Sequence, residues 1–170
     1  MLNWITSNAG IIIASSAVII SIISLFVATR SLSAQEKHNK LSVKPIAHFS
    51  KGDYENCIFV KLKNYGMGPL IITQFDVKKE KSNFKRLIDS FGGVASKITW
   101  DNFTDDIEGR VLAPQSEFVL IQATFRSDQA EARKAIRSSL SKTTLTLQYK
   151  CVYNDVQPQA QEKLEWFARH

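Results

Sequence analysis

The side chains best suited to chemistry are few, and their spacing argues against a catalytic centre. The histidines are His38, His48 and His170, far apart in the chain and placed in a linker, a strand and the last position. No pair has the helical or hairpin spacing of metal ligands, and two isolated cysteines, Cys57 and Cys151, do not make a zinc site. A cysteine nucleophile needs a neighbouring histidine, and nothing in the sequence places one. The acidic stretch WDNFTDDIEG carries Asp101, Asp105, Asp106 and Glu108. It fails the spacing of a calcium loop because Phe103 stands where a ligand belongs, so it reads as a solvated loop. No nucleophile elbow and no phosphate loop is present, and Gly92-Gly93 reads only as a helix end. Trp100, Trp166, Tyr149 and Tyr153 can line a pocket, but aromatics at strand spacing more often build a core. These residues predict neither an enzyme nor a cofactor or metal.

The elements that must carry these side chains begin with one long apolar stretch. From Met1 to Thr29 no side chain is charged, and Ala9 to Ala28 gives twenty mostly apolar residues. At 1.5 Å per residue this is about 30 Å, the hydrocarbon thickness of a bilayer, and predicts a transmembrane helix over residues 1–29. The start, MLNWITSN, lacks the positive charge of a signal peptide, and the apolar run is too long for one. Trp4 fits an interfacial anchor.

Within this helix Gly10, Ala14, Ala17, Ser21, Ser24 and Ala28 recur at spacings of 4, 3, 4, 3 and 4, and Ser7 and Ser31 extend the seam. Small side chains let helices approach closely in lipid, so this is the expected helix–helix interface. Residues 30–44 follow as a basic juxtamembrane helix of two or three turns and a linker. Arg30, Lys37, Lys40 and Lys44 stand there against the single acid Glu36, and are expected to contact anionic headgroups. The basic flank marks the cytoplasmic side, which predicts a single-pass protein of the bacterial inner membrane with its C-terminal domain in the cytoplasm. Half of the chain's net charge of +6 lies in these fifteen residues, so the charge signals a membrane surface and not nucleic acid. In a cytoplasmic domain Cys57 and Cys151 stay reduced; on the oxidising side they can form one disulfide.

Residues 45–170 are long enough for one domain. Pro45 ends any preceding helix. The expected strands are Ile46–Ser50, Cys57–Lys63, Leu70–Lys78, Ile98–Phe103, Arg110–Leu112 paired with Glu117–Phe125, Thr143–Tyr153 and Lys163–Ala168. In Leu70–Lys78 the expected apolar face is Ile71, Thr73, Phe75 and Val77. Helices are expected at Ser82–Phe91, with Phe84, Leu87, Ile88 and Phe91 as its stripe, and at Ser127–Leu140. The fold class expected is mainly β: an N-terminal transmembrane helix followed by an antiparallel β-sandwich with two short inserted helices.

The turn KNYGMGPL carries a resemblance. Asn64 can bond its own backbone, Gly66 and Gly68 can take positive φ, and Pro69 fixes φ on entry to the next strand. This N-x-G-x-G-P turn resembles that of a broad group of uncharacterised bacterial single-pass membrane proteins, in which a helix precedes an immunoglobulin-like or fibronectin-like sandwich. VLAPQSEFVL and LQYKCVYNDV are similar to further short motifs of that group. The resemblance implies the fold but no catalytic residues. Two functions are expected from these features: a membrane-anchored, non-catalytic binding or scaffolding module with a protein or small-ligand partner, or an effector that oligomerises through its transmembrane helices under control of the β domain, of a stress or phage-defence type.

Overall fold

A computed structural model of the chain describes residues 8–169; Trp4, Ser7 and His170 lie outside the described residues. The first unit is one helix, α1, Ala9–Ser42. It buries none of its side chains within the chain. Its apolar residues, such as Ile13 at 67% exposure and Leu25 at 66%, face outward on every side. Among the described residues it is the one helix long and apolar enough to cross a membrane. The helix does not end in a linker. With no Pro or Gly between Arg30 and Ser42, it runs unbroken to Ser42, and only Pro45 closes off that conformation.

The second unit starts at Val43. It contains two antiparallel sheets. The first has the order β1 (Ala47–Asp53), β2 (Cys57–Asn64), β7 (Glu117–Thr124) and β5 (Asn102–Phe103). The second has the order β4 (Ser82–Phe84), β3 (Leu70–Lys79), β8 (Thr143–Lys150) and β9 (Ala160–Lys163), with β6 (Val111–Leu112) also paired to β3. One buried cluster draws on both sheets: Val60, Leu62 and Ile121 from the first, Phe75, Val77 and Leu147 from the second. The helix α2, Ala130–Ser141, adds Ile136 and Leu140 to the core. Across the described residues helix is about 40% and strand about 33%. The excess of helix comes from α1, so strand dominates only after Ser42.

Several local expectations are corrected. Ser82–Phe84 is a strand, joined to β3 by a two-residue turn in which Glu80 takes φ 53°. The helical stretch starts later, as a 3-10 segment Ile88–Lys97, and Gly92 (φ 52°, ψ −136°) interrupts it without ending it. Of Ile98–Phe103 only Asn102–Phe103 is a strand. In β3 the buried residues are Leu70, Ile72, Phe75 and Val77, while Thr73 is exposed. A bulge between Ile72 and Gln74 shifts the register, so residues before it face opposite to strict alternation. β6 and β7 do not pair with each other; they belong to different sheets. Ala160–Lys163 forms the last strand, and Leu164–Arg169 is a 3-10 helix. Leu164 and Phe167, three apart, are both fully buried, which a strand's alternation forbids.

Candidate functional site

The turn after β2 is a structural hub. Asn64 is buried, and its side-chain oxygen accepts hydrogen bonds from the Ile46 N–H at 3.2 Å and the Gly66 N–H at 2.9 Å. Its amide donates to the carbonyl of Gly68 at 2.8 Å and reaches those of Leu112 and Ala113 at 3.3 Å. One side chain thus holds the chain's entry into the domain, its own turn and the 113–116 turn. Neither Gly66 nor Gly68 takes positive φ. The glycines serve close approach instead: a Cβ on Gly66 would collide with the backbone of Lys44 and Pro45, and one on Gly68 with the Val43 carbonyl. Pro69 stands directly before β3.

The residues first considered for chemistry disperse. His38 is exposed on α1, and His48 leans on Tyr65 with ring centroids 5.6 Å apart. Cys57 and Cys151 are free thiols. Burial and then the Asp101 carboxylate push the Cys57 thiol up, which lowers its thiolate fraction. The four acids turn to four different partners. Asp101 accepts from the Thr124 hydroxyl, Asp105 binds Arg86, Asp106 caps the Glu108 N–H, and Glu108 binds Lys85 and the Phe75 N–H. Among the described residues no three His, Cys, Asp or Glu side chains form a metal-holding group.

Of the four aromatics, Tyr149 is buried, Trp166 packs edge-on against Phe167, and Tyr153 is on the surface. Trp100 lines an open cavity of about 560 Å³, together with Arg86, Ile88, Asp89, Ala95 and Phe103. That volume falls in the range of ligand pockets. The wall is built by local structure. Gly92 breaks the 3-10 segment, Trp100 stacks on buried Phe91 at 5.3 Å, and its indole N–H donates to the Ala95 carbonyl at 3.1 Å. Arg86 donates from Nε and Nη2 to Asp89 at 2.7 and 2.8 Å and from Nη1 to Asp105 at 2.7 Å. These bonds hold the Asp105 carboxyl below the usual carboxylate range.

A second constellation was not legible in the sequence. Asp53, at the end of β1, is fully buried as a side chain. Arg133 Nη2 reaches one carboxylate oxygen and Arg137 Nε the other, each at 2.6 Å. Burial drives the Asp53 carboxyl up, but the two guanidiniums outweigh it and hold it below its ordinary value. Arg133 also donates to the carbonyls of Tyr54 and Glu55. The available signal was the four-residue spacing of the two arginines, which puts them on one helix face.

Along α1, all six seam residues from Gly10 to Ala28 are exposed. Ser21 donates its hydroxyl back to the Ala17 carbonyl at 2.8 Å, so its polarity is satisfied within the helix. Lys40 pairs with Glu36 at 3.5 Å. Neither the models of known protein families nor the curated proteins compared with this chain give a match.

Proposed function

We propose that this chain is a membrane-anchored, non-catalytic binding or scaffolding module. In this reading α1 spans the bacterial inner membrane once, and the domain from Val43 onward, read as a β-sandwich of immunoglobulin-like type, faces the cytoplasm. The observation that carries it is the contrast in burial: α1 exposes apolar side chains all round, while the following unit closes its own core. Only lipid offers such a helix a matching solvent. The open cavity at Trp100 is the seat we assign to the domain's partner.

The continuous helix refines the role of the basic residues. If Ala28 marks the hydrocarbon edge of an upright helix, Arg30 lies about 3 Å beyond it, Lys37 about 13 Å and Lys40 about 18 Å. The headgroup layer is roughly 5–8 Å deep on each side. Arg30 therefore contacts headgroups directly, while Lys37 and Lys40 stand beyond them on an upright helix. Residues 30–42 act as a stalk of about 20 Å. The topology is tested by Asp155→Cys in intact cells with a membrane-impermeant thiol reagent. Protection until lysis supports the cytoplasmic placement; labelling before lysis overturns it.

One observation favours a second reading, an effector that oligomerises through α1. Because the helix is unbroken to Ser42, the seam of Gly10, Ala14, Ala17, Ser21, Ser24 and Ala28 continues in phase to Ser31. Ala14→Leu with Ser21→Leu should then reduce oligomer size in mild detergent. An unchanged size removes this reading and leaves the anchored module.

A further inference from the structure

We infer that the cavity at Trp100 takes a cationic side chain, arginine or lysine, from a short segment of a partner protein. The inference rests on the reading of this domain as a binding module. Several observations converge on it. Trp100 and Phe103 supply aromatic surface, and Phe103 stays 47% exposed although it is large and apolar. Aromatic faces attract cations. Among the described side chains of the wall Arg86 is the one cation; it is already bound by Asp89 and Asp105, so the three side chains together carry one net negative charge. Asp105 is 73% exposed as a side chain, and only one of its oxygens is engaged by Arg86.

Arg86 gives three of its five N–H donors to Asp89 and Asp105, so an anionic ligand meets a guanidinium already shared between two carboxylates. A cationic one meets the net negative charge that Arg86, Asp89 and Asp105 leave beside the cavity. The residues 101–108 that bring Phe103 to the cavity, and Asp105 to Arg86, contain four acids and no Lys or Arg, in a chain whose net charge is +6. Of the remaining lining, Ile88, Gly92, Ala95 and Ser96, the apolar Ile88 and Ala95 suit the methylene stem of a long basic side chain. At about 560 Å³ the open cavity exceeds what one small ion fills and has room for a long side chain.

The test uses the full chain in nanodiscs with Trp4→Phe and Trp166→Phe, which leave Trp100 as the only tryptophan. Acetyl-Leu-Arg-Leu-amide is titrated against the same peptide with Gln or Glu at the centre, and Trp100 emission is read. The indole N–H resonance of Trp100 in the unsubstituted chain gives the same readout should Trp166→Phe disturb folding. The expected result is that the Arg peptide binds about tenfold tighter than the Glu peptide, and that Phe103→Ala and Asp105→Asn each weaken it about fivefold. Equal binding of the Arg, Gln and Glu peptides would overturn the cationic preference while leaving the cavity as a ligand seat. If none of the three shifts Trp100, the cavity is not the partner's seat, and the assignment fails with the inference.

Discussion

The helix α1 and the domain that follows it solve the same problem in opposite ways. Both are rich in apolar side chains. The domain folds its own inward: Val60, Leu62, Phe75 and Leu147 from two sheets are shielded by one another. The helix turns Ile13, Ile20 and Leu25 outward and satisfies only its backbone and its hydroxyls from within, as Ser21 does on Ala17. The domain therefore carries its stability in its own contacts, whereas α1 depends on what surrounds it. In the function proposed above the roles divide along the same line, with α1 fixing location and the domain offering a shaped surface.

This division can be broken at several points. The largest effect is expected from Asp53→Ala, which strands Arg133 and Arg137 around a buried site. Removing one partner of a buried ion pair costs about 3–5 kcal/mol, so the domain's Tm should fall sharply while membrane flotation is unchanged. The same carboxylate sets a pH dependence. Its folded pKa is depressed, so its contribution is full above the unfolded value of about 3.9 and is lost as pH falls through the folded value. Asp53→Asn should flatten the acid limb of the stability curve, measured by denaturant melts between about pH 2 and 5.

On the other side, Val18→Lys near the middle of the Ala9–Ala28 span should cost about 2.5–3.5 kcal/mol of insertion and move the chain from the membrane to the soluble fraction. The domain's near-ultraviolet dichroism should persist. Asn64→Ala leaves the Ile46 and Gly66 N–H groups without their partner and is expected to destabilise the domain by about 1–3 kcal/mol in a denaturant titration. The smallest effect is expected from Lys61→Ala, which removes a surface pair with Glu117 and should shift stability by less than about 1 kcal/mol.

What was legible in the sequence was what periodicity controls. The Ala9–Ala28 part of α1 showed in its length and lack of charge, while its unbroken run to Ser42 did not. β2 and β8 showed in their alternation, since each has one buried face. What escaped needed information from outside the local window. The bulge in β3 reversed the facing of Ile71 and Thr73, and no residue type announces it. Phe84, Leu87, Ile88 and Phe91 have helical spacing, yet Phe84 joins a strand because β3 offers an edge to pair with. The turn KNYGMGPL was legible as a turn, but the reason for its glycines was not. They admit residues 43–45, a contact some twenty positions distant in the chain. The Asp53 triad joins positions 53, 133 and 137 and left no local trace beyond the spacing of the arginines.

The most direct test of the division is hydrogen–deuterium exchange on the full chain in nanodiscs. The account predicts that amides of Ala9–Ala28 stay protected for hours by lipid, that Arg30–Ser42 exchange much faster as a solvated helix, and that the strands of the domain are protected as strongly as its global stability allows. Exchange of Ala9–Ala28 at the rate of Arg30–Ser42 would contradict it, because the helix would then stand in water along its whole length.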